Sequence, residues 1–150
     1  MPTQTFLTTD LFGTVGRFRR RLRRSAPRGF EGAGLTEAQA ELMRLVGRRP
    51  GMSISEAATE LGLAANTAST LVSKLCAQDL IVREPDADDR RIGRLRLTEP
   101  AQQIADASRA ARHAALAEVL DQLDDGEIAD LTAGLTVLGK LTRLLDERKP

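Results

Sequence analysis

Residues 61–98 read LGLAANTASTLVSKLCAQDLIVREPDADDRRIGRLRLT, and the fold is decided within them. Two short stretches meet at Gly62. The first carries Ala57, Ala58 and Leu61, the second, Ala65 to Gln78, carries Ala68, Leu71, Val72, Leu75 and Cys76. Spacings of three and four predict two helices joined by a glycine turn, the helix-turn-helix pattern. The period then changes. Ile81-Val82-Arg83-Glu84 and Arg94-Leu95-Arg96-Leu97-Thr98 alternate, which predicts two half-buried strands. Between them Pro85 to Gly93 is polar and holds Asp86, Asp88, Asp89, Arg90 and Arg91. A hairpin with a long charged loop, following directly on a helix-turn-helix, is a wing.

Upstream, Thr36 and Gln39 have capping-box spacing ahead of Leu42, Leu45 and Val46, and Pro50-Gly51 ends that helix. Ser53-Ile54 is too short for an independent strand but is able to pair with one from elsewhere. Ser55 is the expected cap of the next helix. Nearer the N-terminus, Leu11, Phe12, Val15, Phe18 and Leu22 mark one face of a first helix, capped by Thr9 or Asp10. Ser25 to Gly34 reads as a loop broken by Pro27, Gly29, Gly32 and Gly34. Downstream, Pro100 suits the first turn of a fifth helix with Ile104, Ala107, Ala111, Ala115, Val119 and Leu123. Asp124-Asp125-Gly126-Glu127 reads as an acidic connection to a sixth helix with Ile128, Leu131, Leu135, Leu138, Leu141 and Leu145. The predicted fold is mainly α, six helices with a small β-hairpin wing.

Composition narrows the function. The chain has 150 residues, 41% hydrophobic and 29% charged, the make-up of a soluble globular domain with or without an oligomerisation appendage. Trp and Tyr are absent, so the core is aliphatic. No apolar run approaches the roughly 18 residues of a membrane span, and Met1 to Asp10 lacks the pattern of a secretory signal. A single cysteine, Cys76, and a single histidine, His113, exclude a disulfide framework and any site needing two imidazoles. There is no glycine-rich phosphate loop with its lysine, no nucleophile elbow and no His pair, so an enzyme is not expected. Asp121, Asp124, Asp125, Glu127 and Asp130 cluster near a helix start, where the dipole favours acids. The expectation is a cytoplasmic, cofactor-free protein without a metal. Residues 1–99 carry 16 Lys+Arg against 12 Asp+Glu, and residues 100–150 carry 6 against 9. Positive charge therefore gathers in the part containing the helix-turn-helix.

A helix that enters a major groove about 12 Å wide must hydrogen-bond base edges and phosphates at close range. Asn66, Thr67, Ser69, Thr70 and Ser73 are short polar groups suited to that, and Lys74 is a cation for phosphate. At the wing tip Arg90 and Arg91 are available for the narrow, electronegative minor groove. Asp89 beside them is placed to hold a guanidinium through a charge-assisted bond. These nine residues are the candidate DNA-binding site.

The stretch resembles the multiple antibiotic resistance regulator (MarR) family of bacterial transcription factors. The resemblance rests on Leu61-Gly62-Leu63, Thr67, Leu71-Val72, Leu75 and Leu80-Ile81, and on a wing pattern, Asp-x-Arg-x-x-x-Leu-x-Leu-Thr, at Asp89, Arg91, Leu95, Leu97 and Thr98. Helix order extends it over nearly the whole chain. It implies a homodimer built on the first, fifth and sixth helices. The corresponding division is 1–34, an N-terminal dimerisation helix and loop; 35–99, the winged helix-turn-helix; and 100–150, C-terminal dimerisation helices. It further implies a repressor on a pseudo-palindromic double-stranded operator, released by a small-molecule effector or by oxidation, with Arg91 as minor-groove probe. The chain departs from the family's habits at Ala64 (often a cap), at Ala65 and Thr70 (often arginine), at Asp79 (usually glycine) and at Glu99-Pro100-Ala101 (usually Glu-Lys-Gly).

The arginine-poor reading helix motivates a rival from another class, a dimeric interaction module that kept the fold and lost sequence-specific DNA reading. Seven arginines between 17 and 28 admit three roles: a solvated helix end, a phosphate-contacting patch, or attachment of an acidic partner. Cys76 reads as a small buried hydrophobe before a redox sensor, and His113 as a packing or surface residue before a ligand. In the resembling fold an effector pocket lies between dimer body and winged domain, which here points to Leu11, Phe12, Val15, Ile104 and Ser108.

Overall fold

The structure is a computed structural model that describes residues 1, 3–26, 29–30 and 33–148. Pro27, Arg28 and Gly32, part of the expected loop and of the arginine run, lie outside the described residues. Among those described there are six helices and three short strands. In chain order they are α1 Gln4–Arg24, α2 Glu37–Arg48, β1 Met52–Ser53, α3 Ile54–Leu61, α4 Ala65–Ala77, β2 Ile81–Pro85, β3 Gly93–Leu97, α5 Glu99–Leu120 and α6 Asp125–Asp146. The mainly helical architecture with a small wing is the one the sequence predicts.

Local chemistry sets the helix ends. Thr36 and Gln39 form a reciprocal capping box on α2, as their spacing predicts. Helix α3 is capped by Ser53 rather than Ser55, because Ser53 has Glu56 three residues on to complete a capping box and Ser55 has only Ala58. Helix α1 starts earlier than expected: Thr3, not Thr9 or Asp10, accepts the N–H of Phe6 at 3.3 Å. The acidic stretch before α6 is its cap and first turn rather than a separate connection, with Asp124 and Glu127 in a capping box. Gly62, at φ +66°, lies in the left-handed conformation that ends α3.

Strand order is β1-β3-β2, all antiparallel. Met52 and Ser53 pair with Leu95 and Arg94, so the short segment does borrow a partner. In the hairpin Ile81 lies opposite Leu97 and Arg83 opposite Leu95. Leu95 and Leu97 are buried, which turns Arg94 and Arg96 outward.

The described residues form two compact units, Met1–Arg112 and His113–Pro150. The core belongs to the first. Leu42, Met43, Leu45 and Val46 of α2 meet Val72 and Leu75 of α4, Ile81, Leu95 and Leu97 of the sheet, and Ala101 of α5. Gly47 allows α2 to approach closely: a Cβ there would stand 3.1 Å from Leu97 Cδ1 and 3.3 Å from Ala105 Cβ. Small residues accordingly face inward from the start of α5. Ala101 and Ser108 are buried, whereas Ile104, expected on the packed stripe, is 45% exposed. Helices α1 and α6 have no buried residue, and α6 leaves Leu131, Leu135, Leu141 and Leu145 exposed. Among the described residues no helix is long and apolar enough to cross a membrane.

Candidate nucleic-acid interface

Helix α4 buries Ala68, Val72 and Leu75. The opposite side presents Asn66, Thr67, Thr70, Ser73 and Lys74 to solvent, with Ser69 half-buried. Helical spacing puts Asn66, Ser69, Thr70 and Ser73 along one stripe and Thr67 and Lys74 beside it. The cap residue Ala64 makes no side-chain bond. Asn66 Oδ1 instead accepts the Thr67 N–H at 2.9 Å and satisfies one first-turn donor. The Thr70 hydroxyl donates back to the Asn66 carbonyl at 2.9 Å. The structure thus brings six of the nine expected residues onto one helix surface.

The C-terminus of α4 repeats the end of α3 with a different residue. The Leu80 N–H donates to the Leu75 carbonyl at 3.0 Å and the Asp79 N–H to the Cys76 carbonyl at 3.1 Å, a Schellman pair. Asp79 occupies the left-handed position, φ +56°, where α3 has Gly62. Its carbonyl accepts the Thr98 hydroxyl at 2.8 Å, which fastens the start of the hairpin to its end.

The wing loop is organised by Asp86, a residue that the sequence reading counted only among the loop charges. Its Oδ2 accepts the N–H groups of Asp88 and Asp89 at 3.2 and 3.1 Å, and its Oδ1 accepts Arg94 Nε at 2.9 Å. The Arg94 hydrogen bond, reinforced by those two N–H groups, holds the Asp86 carboxyl below the usual carboxylate range, and the same bond raises Arg94. Arg94 also lies 3.7 Å from Glu56 at the start of α3. Asp89 accepts the backbone N–H of Arg91 at 3.0 Å, so it shapes the turn rather than gripping a guanidinium. Arg90 and Arg91 are exposed at the tip, each without a salt bridge among the described residues. The signal for Asp86 was present in sequence: an aspartate followed closely by turn residues commonly bonds the next backbone N–H groups.

Pairing sorts the remaining cations. Arg96 is neutralised by Glu84 at 2.7 Å and Arg49 by Glu60 at 3.6 Å. On α1, Arg19 pairs with Glu41 at 3.4 Å and Arg23 with Glu37 at 3.1 Å. Part of the arginine run therefore has a fourth role, attachment of α1 to α2. Arg83 of β2 has no salt-bridge partner among the described residues. It donates to Ser73 Oγ of α4 at 3.0 Å.

A cleft within the first unit is lined by Arg23, Arg44, Arg48, Arg109 and Arg112 together with Asp106 and Ser108. Of the residues expected at an effector pocket it includes Ser108, while Leu11, Phe12, Val15 and Ile104 are not in its lining; it sits at the arginine-rich end of α1. Cys76 is half-buried and packs against the core, and His113 is exposed. Among the described residues no group of three or more His, Cys, Asp or Glu is arranged to hold a metal.

Residues 33–92 match the model described as MarR family. Comparison with curated proteins gives no match. Solved structures of the same fold include Streptococcus pneumoniae FabT in complex with DNA, at 23% identity and TM-score 0.73, covering 94% of this chain and 95% of that one. A MarR-like transcriptional regulator from Thermotoga maritima is similar at 21% identity and TM-score 0.73, covering 90% and 96%. The PcaV transcriptional regulator from Streptomyces coelicolor, in complex with its natural ligand, is similar at 17% identity and TM-score 0.61, covering 93% and 96%. At these identities the likeness is one of fold. Helix-turn-helix, wing and the match over 33–92 converge on one conclusion: this segment of the chain is similar to the MarR family model, and the chain shares the winged helix-turn-helix fold of these solved structures.

Proposed function

We propose that this chain is a homodimeric regulator that binds a pseudo-palindromic DNA operator and represses transcription from it. One observation carries the reading: α4 and the wing tip present Asn66, Thr67, Thr70, Lys74, Arg90 and Arg91 to solvent, and the three cations have no carboxylate partner among the described residues. Hydrogen-bonding groups with unopposed charge are what a groove and its phosphates require. Asn66, Thr67, Ser69, Thr70 and Ser73 serve the major groove, Lys74 a phosphate, and Arg91 and Arg90 the minor groove, with Asp89 shaping the loop that carries them. The FabT structure, which contains DNA, supports the reading by fold.

The exposed leucines of α6 support the homodimer, because apolar faces of that kind mark interaction sites in soluble proteins. Residues 1–34 and 100–150 supply the dimer body in this reading and 35–99 the DNA-binding domain. A two-fold axis then places half-sites about 10 bp apart. The effector in this reading is a small molecule, and the arginine-lined cleft, in which Arg23 and Arg44 already pair with Glu37, is its candidate site.

The test is selection of bound fragments from genomic DNA, followed by titration of the best fragment and its scrambled copy. A pseudo-palindrome bound on the order of 10³-fold tighter than the scramble supports the regulator. Absence of binding to any duplex refutes it in favour of the interaction module.

A further inference from the structure

We infer that Arg83 is a DNA-phosphate contact, supplied to the reading helix by the wing and held there by Ser73. The inference rests on the proposed DNA binding and deepens it. Alternation along β2 puts Arg83 on the same face as Ile81, which is buried in the core. Across the hairpin it lies opposite Leu95, also buried. A long cationic side chain on the inner face of a strand has two ways out: an acid, or solvent beside the neighbouring element. The wing's nearby acids are taken on the outer face. Glu84 binds Arg96 at 2.7 Å and Asp86 binds Arg94 at 2.9 Å.

Arg83 therefore runs along the inner face to α4, where its Nη2 donates to Ser73 Oγ at 3.0 Å. Ser73 stands on the exposed stripe with Asn66 and Thr70, so the guanidinium is delivered to the surface that meets DNA. Both Arg83 and Ser73 remain exposed. Helix α4 has only one cation of its own, Lys74. Arg83 supplies a second from outside the helix, which reassigns Ser73 from base reader to holder of Arg83. A guanidinium bonded through one nitrogen keeps other N–H donors for a phosphate oxygen.

The experiment measures the salt dependence of binding for wild type, Arg83→Gln, Arg83→Lys and Ser73→Ala. Two probes are used, a mixed-sequence duplex and the best selected genomic fragment. Gln keeps a donor for Ser73 without the charge; Lys keeps the charge. Expected is a log–log salt slope shallower by about 0.9 per protomer in Arg83→Gln on both duplexes, with recovery of the slope in Arg83→Lys. Ser73→Ala should weaken binding on both duplexes alike. A wild-type slope retained in Arg83→Gln overturns the assignment, and so does a lowered melting temperature without a slope change, which makes the bond a tie between wing and helix. A loss confined to the selected fragment also overturns it, since Arg83 is then a base reader. If the wild type binds neither duplex, the DNA reading itself falls.

Discussion

Replacing Asp79 by Gly should stabilise this protein, and the size of the gain follows from the end of α4. Asp79 is held at φ +56° between two Schellman hydrogen bonds. A left-handed conformation costs an L-residue about 1–2 kcal/mol, least where a short polar side chain bonds locally. The Asp79 carboxylate makes no such bond among the described residues, so little of the cost is recovered. Its charge also sits at a helix C-terminus, unfavourable by about 0.3–1 kcal/mol. Glycine removes both terms but returns about 0.4–1 kcal/mol by loosening the unfolded chain. The net expectation is a gain of about 1 kcal/mol, or about 2–4 °C in melting temperature for a chain of this length. The bond from the Thr98 hydroxyl survives, because its acceptor is the main-chain carbonyl. The assay is thermal unfolding at one fixed protomer concentration, since dimerisation makes melting concentration-dependent. Asp79→Ala is the control: it removes the charge but keeps the strained φ, and should gain less than glycine. An Asp79→Gly protein that melts at or below wild type refutes the argument.

Three further outcomes are expected. Leu75→Ala opens a hole beneath α4 at a fully buried position and should cost about 2–5 kcal/mol in urea denaturation; a loss under about 1 kcal/mol would show that the site collapses freely. The Asp86 carboxyl is depressed by its hydrogen bonds, so the stability it lends is present above its unfolded value of about 3.9 and is lost as pH falls through the folded one. Asp86→Asn should therefore melt lower than wild type at neutral pH, with the gap closing below about pH 4; a gap independent of pH contradicts the titration. Leu131→Asp with Leu141→Asp should shift the protein to monomer in sedimentation, and an unchanged mass would place the dimer contact elsewhere.

Fold legibility followed the range of the interactions involved. The Thr36–Gln39 box, the Gly62 turn, the apolar positions of α4 and the two alternating strands are local signals, and each element forms within a residue or two of its expected limits. The miss at Ser55 has a local cause, Glu56 three residues after Ser53 completing a capping box, whereas at Thr9 or Asp10 the helix simply runs on upstream to Thr3, which accepts the Phe6 N–H. On α5 the apolar stripe pointed to Ile104, but the close approach of α2 at Gly47 admits only small side chains, so Ala101, Ala105 and Ser108 face inward. That is a packing fact, invisible to periodicity.

The sequence by itself determined the element order, the winged helix-turn-helix and the set of short polar residues along α4, because these depend on contacts between residues close in the chain. Only the tertiary structure decided which charges remain available. Arg94 is claimed by Asp86 eight residues earlier, Arg19 by Glu41 across a loop, and Arg83 is carried to Ser73 by the fold of the wing against the helix. An arginine's charge is a property of its sequence position, but whether that charge faces a carboxylate or solvent is settled by residues that meet only when distant segments pack.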